Sequence, residues 1–319
     1  MKKLMVAAVT AAVFAAFADE PKPAAEGAGV PSEAEEAEAE EAEAEEDEAP
    51  LIWGFGSTGI YSGYQLYGSL LNSEPTWQTY AEGNINLPWE IGSVGVGIWL
   101  NSDLTDKRNG QYGKWFNEQD YNVHFDHTFW FDDDKVWGLG YRTEVVWYYY
   151  PHHRGHNPST QWAKGRRGHY QSSVSTMTTM DWNHYFELKN PYVTPYFKWV
   201  HEYHENKANL FLGGLKKTID IADDVTITPT WELVWRSHRY NWCFPTAGWS
   251  ELHGSGMASS RLGFDINWQF AEHLSLFAKV YWCHIIDHDL RHACETGCGN
   301  DYGQYKDFAW GGVGLAWNF

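Results

Sequence analysis

Beyond its first residues, the sequence lacks any long hydrophobic run. After residue 50, no stretch of about 18 consecutive residues is apolar, and a membrane-spanning helix needs about that length. The sequence therefore predicts no transmembrane helix. Positive charge is also scarce, because 23 Lys and Arg residues stand against 42 Asp and Glu residues and the net charge is −19. This balance argues against a nucleic-acid partner, since nucleic-acid-binding surfaces are basic.

The amino terminus has the pattern of a secretory signal peptide. Two lysines precede a short apolar run, and a small-x-small Ala-Phe-Ala sequence ends at residue 18, so residues 1–18 are predicted to be removed. A Glu/Ala segment with 14 acidic residues and one basic residue follows at 19–50. Such a segment repels itself and has no large apolar side chains to bury. It is therefore predicted to be a disordered acidic linker.

Aromatic residues are abundant although the chain is polar on average. There are 19 Trp, 19 Tyr and 16 Phe, and the mean hydropathy is −0.51. A soluble domain rarely combines so many aromatic residues with so few aliphatic runs. A membrane β-barrel, in contrast, uses Trp and Tyr at both of its interfaces.

An alternation of period two runs through the chain after residue 50. In the final stretch, FAWGGVGLAWNF, Val313, Leu315, Trp317 and Phe319 alternate with smaller or polar residues, which predicts a β-strand with one apolar face. Twelve such segments are each long enough to cross a bilayer at a tilt. They are 51–67, 74–89, 92–103, 119–132, 135–151, 173–189, 192–206, 208–222, 225–241, 259–271, 274–288 and 306–319.

The connections between these segments alternate in length. Tight turns fall near 90–92, 132–135, 189–192, 222–225 and 271–274, and most of the intervening connections are long and polar. Outer-membrane barrels show this asymmetry, and a soluble sandwich gives no reason for it. Residues 51–319 are therefore predicted to form an all-β fold. It is a transmembrane antiparallel up-and-down β-barrel of twelve strands in the outer membrane, with both ends of the barrel periplasmic.

One face of the predicted strands carries charges. In 259–271, for example, Leu262, Phe264 and Ile266 oppose Gly263 and Asp265. A charged face that recurs on strand after strand does not suit a packed core, but it suits a wet lumen. The predicted lumen-lining charges are Arg142, Glu144, Lys198, Glu202, Glu232, Arg236, Asp265 and Lys279, and the predicted inward aromatic residues are Tyr80, Trp99, Trp130, Tyr148, Tyr196 and Tyr281.

The last strand resembles a known signal. An alternating final strand with a terminal Phe, here FAWGGVGLAWNF, is similar to the carboxy-terminal sorting signal of Gram-negative outer-membrane β-barrel proteins, including porins. The resemblance implies insertion by the barrel-assembly machinery and contact with outer-membrane lipids. It specifies no chemistry, because barrels of this architecture serve many functions.

Three groups of residues raise other possibilities. His253 and Ser255 could form a hydrolytic pair, as the H-x-S-N element of outer-membrane lipid hydrolases does, but this chain has Gly256 in place of Asn. Extending the alternation of 259–271 backwards turns the pair towards the lumen, where it could not reach lipid. His and Asp clusters also occur, at 152–156 and 284–292. We interpret both as loop residues, and predict no catalytic residue, metal or cofactor.

The four cysteines lie in a chain that is expected to be exported to an oxidising compartment. Cys294 and Cys298 enclose a short loop, and we predict a disulfide between them, with a Cys/His zinc site as the rival interpretation. The pairing of Cys243 and Cys283 stays open.

The predicted function is that of a channel rather than an enzyme. A mixed-charge, aromatic-lined lumen would allow passive diffusion of small polar solutes. The main alternative is a non-conducting barrel whose long external loops bind a partner, and a His/Ser lipid hydrolase ranks below both.

Overall fold

A computed structural model describes the barrel and part of its loops. The described residues are 50–67, 69–72, 74–105, 116, 118–149, 178–203, 208–237, 255–288, 291 and 307–319. The predicted signal peptide, all of the acidic linker except Pro50, and three of the four cysteines lie outside them. No helix in this part of the chain is long and apolar enough to span a membrane.

Nearly all of the described chain is β-strand, because the alternating segments pair with one another in sequence order. The strands are β1 (Ile52–Tyr61), β2 (Tyr64–Leu66), β3 (Ser69–Asn72), β4 (Thr76–Asn86), β5 (Ser93–Asp103), β6 (Glu118–Trp130), β7 (Gly138–Tyr149), β8 (Thr178–Lys189), β9 (Thr194–Glu202), β10 (Ala208–Lys216), β11 (Ile219–Ala222), β12 (Val225–Arg236), β13 (Gly256–Ala271), β14 (Leu274–Ile285) and β15 (Asp307–Asn318). A short 3-10 turn occupies Pro88–Glu90.

The sheet closes on itself. Each barrel strand pairs antiparallel with its neighbours, and the last strand, β15, pairs with β1 from Phe55↔Asn318 to Tyr61↔Gly312. β10 and β11 both pair with β12, so together they act as one strand of the ring. The prediction of a closed, antiparallel, twelve-stranded up-and-down barrel is therefore confirmed.

The two ends of the barrel differ in their connections. At the short-turn end, connections such as 190–193, 223–224 and 272–273 are tight, and β1 begins and β15 ends there. At the long-connection end, β5 and β6 are joined through 104–117 and β12 and β13 through 237–255. This is the asymmetry that the sequence predicts.

One predicted segment is wrong at its end. Residues 51–67 do not form a single strand, because β1 stops at Tyr61 and the chain turns at Gly63. The carbonyl oxygen of Gly63 accepts hydrogen bonds from the Thr76 hydroxyl at 3.3 Å and from Trp310 Nε1 at 2.8 Å. These bonds redirect the chain into a separate two-stranded hairpin of β2 and β3, where the alternation predicts a continued strand.

The register separates the strands into two faces, because residues directly opposite each other on antiparallel neighbours point to the same side. The outer face carries large apolar side chains, among them Ile60, Leu262 and Val313, which are 55%, 59% and 60% exposed. A continuous exposed apolar surface on a closed barrel is the surface that meets lipid. Val313, Leu315, Trp317 and Phe319 lie on it, as the final-strand pattern predicts.

Close packing at the closing seam gives the first prediction. A Cβ at Gly314 would lie 2.1 Å from the Thr58 carbonyl oxygen and 2.6 Å from the Gly59 Cα, both backbone atoms that cannot move aside. Gly314→Ala should therefore lower barrel stability by about 1–3 kcal/mol. The measurement is the temperature at which the folded band converts to the unfolded band on a semi-native gel.

The matched control is Gly83→Ala in β4, because a Cβ at Gly83 would meet no atom within 4 Å. We expect the Gly83→Ala transition to stay within a degree or two of the unaltered protein. Equal transitions for both variants would contradict the close approach of β15 to β1.

Candidate functional site: the inner face of the barrel

The register places all eight charged residues of the predicted lumen on the face opposite the apolar one. The pairs are Glu144 opposite His124, Lys198 opposite Tyr185, Glu232 opposite Arg261, and Asp265 opposite Lys279. Arg142, Glu202 and Arg236 lie on the same face, because the residues opposite them on the neighbouring strands also point inward. That these side chains line a path for solutes remains a prediction.

Arg142 is the centre of an ionic network in the middle of the barrel. Its Nη2 donates to Glu82 Oε2 at 2.8 Å, and its guanidinium lies 3.6 Å from an Asp126 oxygen and 3.7 Å from a Glu144 oxygen. Lys198 Nζ extends the network at 3.5 Å from Glu144 Oε1. Two strands separate β4 from β7, so the contact between Glu82 and Arg142 passes through the barrel interior.

A buried histidine joins the same network from β6. His124 contacts the side-chain oxygens of Asn122 at 2.9 Å and Asn84 at 2.7 Å, one with each ring nitrogen. Its Nε2 also lies 3.8 Å from a Glu82 oxygen. These contacts fix the imidazole on the wall and orient Glu82 towards Arg142.

Two further ion pairs lie on the inner face, the first on β12 and β13 across the ring from this network, the second near the short-turn end. Arg261 pairs with Glu232, and Lys216 Nζ lies 2.7 Å from Glu187 Oε2. Glu187, Lys189 and Lys216 line an open cavity of about 420 Å³, together with Trp130 and residues of the adjacent turns. The short-turn half of the interior is thus accessible to solvent and lined by paired charges.

The long-connection half of the interior is much less accessible. Glu118, Asp120, Asp181 and Glu202 are all at least nine-tenths buried there, and so is Arg236. Tyr148 donates to Asp181 at 2.9 Å, and Tyr64 donates to Glu118 at 3.1 Å. The β2–β3 hairpin supplies Tyr64, so part of this burial comes from a segment that is not itself a barrel strand.

The hairpin also contacts the positive residues of the other wall. Arg236 Nη2 donates to the Tyr67 carbonyl oxygen at 2.6 Å, and Arg261 Nη1 donates to Gln65 Oε1 at 3.3 Å. Lys198 Nζ lies 5.5 Å from the centre of the Tyr67 ring. Burial raises the pKa of the Tyr67 phenol, so the hairpin presents a neutral hydroxyl in this region.

The sequence prediction omits several inner-face residues of these networks, among them Glu82, Glu118, Asp120, His124 and Arg261. Arg261 has the same parity as Gly263 and Asp265, so extending that alternation by one step would have found it. Glu118 begins β6 one residue before the predicted segment, where the parity of a strand is hardest to read.

The predicted orientation of Ser255 is wrong. The pairing of β12 with β13 shifts by one residue between Val234 and Trp235, so that Gly256 lies opposite the inward Arg236. In β13 the alternation is therefore reversed for the residues that precede the shift. Odd-numbered residues before the shift therefore do not point to the lumen, and Ser255 itself is exposed just before β13. His253 lies outside the described residues.

The remaining candidates are placed as follows. Among the residues that the structure describes, no group of three or more His, Cys, Asp or Glu side chains could hold a metal ion. His284 pairs instead with Asp307 on the neighbouring strand. Cys283 is buried and is a free thiol. The predicted Cys294–Cys298 disulfide lies outside the described residues.

The Arg142 network gives the second prediction. Arg142→Met removes the cation shared by three carboxylates, one of which, Glu82, has a fully buried side chain. We expect a loss of about 3 kcal/mol in stability, because an uncompensated buried charge is left behind. The measurement is again the temperature of the gel-shift transition.

The control, Lys135→Met, makes the same kind of change at an exposed pair, where Lys135 and Glu90 are 3.9 Å apart. Such a pair contributes about 0–1 kcal/mol, so this variant should resemble the unaltered protein. A smaller loss for Arg142→Met than for Lys135→Met would contradict the network.

Comparison with known proteins gives likenesses of architecture. No protein-family model matches the chain, and no curated protein matches it. Among solved structures it is similar to the NanC porin, with 10% identity over 82% of this chain and 98% of that one and a TM-score of 0.45. It is also similar to the KdgM porin, with 8% identity, 83% and 99% coverage and a TM-score of 0.41. A third is the COG4313 outer membrane channel from Pseudomonas putida F1, with 7% identity, 86% and 98% coverage and a TM-score of 0.44.

Proposed function

We propose that this protein is an outer-membrane channel for passive diffusion of small polar solutes. The observation that carries the proposal is the inner face, which bears charges of both signs and aromatic side chains on strand after strand of a closed barrel. A barrel without a polar path would not need this face, because apolar side chains would fill a small interior at lower desolvation cost. Fixed charges of both signs along a narrow aqueous path are what selects small polar solutes.

The proposed orientation follows from the connections. The short-turn end is periplasmic, so both ends of the barrel lie there, and the long connections are extracellular. The apolar outer face contacts outer-membrane lipids. The last strand, with its terminal Phe, is the segment that the barrel-assembly machinery would recognise.

The proposed path prefers cations. Acidic residues outnumber basic residues on the inner face of the described strands, and the excess is greatest in the long-connection half. The acidic set is Glu82, Asp103, Glu118, Asp120, Asp126, Glu144, Asp181, Glu187, Glu202, Asp220, Glu232 and Asp265, against Arg142, Lys189, Lys198, Lys216, Arg236, Arg261 and Lys279. A lumen with net negative charge concentrates cations and excludes small anions.

One observation favours the main alternative, a non-conducting barrel whose external loops bind a partner. The β2–β3 hairpin lies inside the long-connection half and narrows any path through it. Recording from the purified protein in a planar bilayer, with and without the β2–β3 hairpin, separates the two functions. Discrete conductance steps support the channel, and absence of conductance at every voltage from both forms, each showing the folded gel band, would favour the binding scaffold.

The third prediction concerns charge selectivity. Lys216 lies on the inner face opposite Thr194 and Thr230, so Lys216→Gln removes a positive charge from the proposed path. The reversal potential in a KCl gradient should then shift further towards the potassium equilibrium potential, because the excess of negative charge grows.

Lys217→Gln is the matched control. Lys217 is the next residue, beyond the end of β10, and its ammonium group contacts the Pro191 carbonyl oxygen in a turn rather than an inner-face carboxylate. This variant should leave the reversal potential unchanged. Equal shifts for both variants would show that Lys216 does not face the conducting path.

A further inference from the structure

The segment that connects β1 to β4 crosses the barrel. We call its described residues 62–67, 69–72, 74 and 75, which include β2 and β3, the crossing hairpin. Its neighbouring residues Tyr64 and Gln65 contact Glu118 on β6 and Arg261 on β13. These two strands are six positions apart in a ring of twelve, so they stand on opposite walls. A segment that reaches both walls from adjacent residues spans the interior.

Apolar packing fixes the hairpin at both of its strands. Leu70 of β3 packs in a cluster with Tyr61, Tyr281, Phe308 and Trp310 on the β14–β15 side. Tyr67, at the tip of β2, packs against a second cluster on β9, β10 and β12, formed by Val200, Ala208, Leu210, Leu212 and Val234. The hairpin therefore occupies the space between the two clusters.

Cations of the barrel wall hold the hairpin through neutral groups. Arg236 binds the carbonyl oxygen of Tyr67, Arg261 binds the side-chain amide of Gln65, and Lys198 lies over the Tyr67 ring. Arg261 and Lys198 also pair with the wall carboxylates Glu232 and Glu144. These two cations consequently keep a carboxylate partner when the hairpin is displaced. This lowers the free energy needed to displace it.

The two strands of the hairpin are separate from the barrel ladder, although its root residues Ser62 and Pro75 hydrogen-bond through their backbones to Gly311 and Leu104 of the barrel. β2 pairs with β3 alone, in a sheet of two strands. Tyr61 and Thr76, at the roots of the hairpin, are directly opposite each other in the β1–β4 ladder, so the barrel closes without it. An isolated two-stranded hairpin is marginally stable, and segments of this kind open at lower free energy than the strands around them.

We propose that the crossing hairpin is a gate across the solute path, closed in this structure and opened by its displacement from Arg236, Arg261 and Lys198. The inference rests on the proposed channel function, to which it adds the element that controls passage. It also assigns a role to the long-connection half, where buried side chains of both walls meet the hairpin.

The test compares bilayer recordings of the unaltered protein with those of a variant in which residues 62–75 are replaced by Asn-Gly. A two-residue turn fits because Tyr61 and Thr76 are opposite residues of an antiparallel pair. If the hairpin is a gate, the variant should show a conductance several-fold higher than that of the unaltered protein and few closures.

A second variant keeps the chain length and all barrel residues. Tyr64→Phe, Gln65→Ala and Tyr67→Ala together remove the hairpin's side-chain contacts with Glu118, Arg261 and Lys198, so the open fraction should rise while the fully open conductance stays the same. The control is Tyr121→Ala, because Tyr121 is an aromatic residue on the outer face, 42% exposed. It should leave gating unchanged.

The outcomes separate the two proposals. If the unaltered protein conducts and both hairpin variants match it in conductance and open fraction, the gate is refuted and the channel stands. If neither the unaltered protein nor the folded Asn-Gly variant conducts, the channel itself is refuted, and the gate with it. Should the Asn-Gly variant fail to fold, the open fraction of the triple variant decides.

Discussion

The structure depends first on the closure of the sheet between β1 and β15. In the hydrocarbon region of a membrane no water is available, so every backbone N–H and C=O group must find its partner within the protein. A sheet meets this demand only when it has no edge. Seven residue pairs from Phe55↔Asn318 to Tyr61↔Gly312 remove the edge here, and the close approach of Gly314 to Thr58 and Gly59 lets the two strands pack at this seam.

Closure also decides where charges lie. Once the sheet is a ring, the period of two in each strand becomes an inside and an outside, and the apolar set must take the side of the lipid. The charged set is then confined to the interior, where each ion is partly desolvated. The arrangement is tolerable because the ions pair with one another on the inner face, as Glu82, Arg142, Glu144 and Lys198 do.

Much of the barrel could be predicted from the sequence because each step used only local information. Alternation identifies strands, the alternating lengths of the connections identify the two ends, and parity identifies the face. These rules locate all twelve strands and put Arg142, Glu144 and Lys198 on the inner face. The resemblance of the last strand to outer-membrane sorting signals agrees with the outward position of Phe319 and its alternate neighbours.

The errors come from features that alternation does not encode. The crossing hairpin continues the pattern of β1 in sequence, but hydrogen bonds from Thr76 and Trp310 to Gly63 turn the chain inward, and Trp310 is 247 residues away. The orientation of Ser255 fails because one extra residue in β13 reverses parity, and a bulge leaves no mark in an alternating sequence. Ion-pair partners such as Glu82 and Arg142 depend on which strands face each other across the ring.

The separation of the inner from the outer face is the central claim. Spin labels on single cysteines placed in turn at residues 276–281 of β14, in lipid vesicles and in a background without the native cysteines, test it most directly. The register predicts that labels at the even-numbered positions are accessible to oxygen, which dissolves in lipid. Labels at the odd-numbered positions should instead collide with a water-soluble nickel chelate or with neither reagent. Oxygen accessibility without a period of two, or greatest at position 279, would contradict the account.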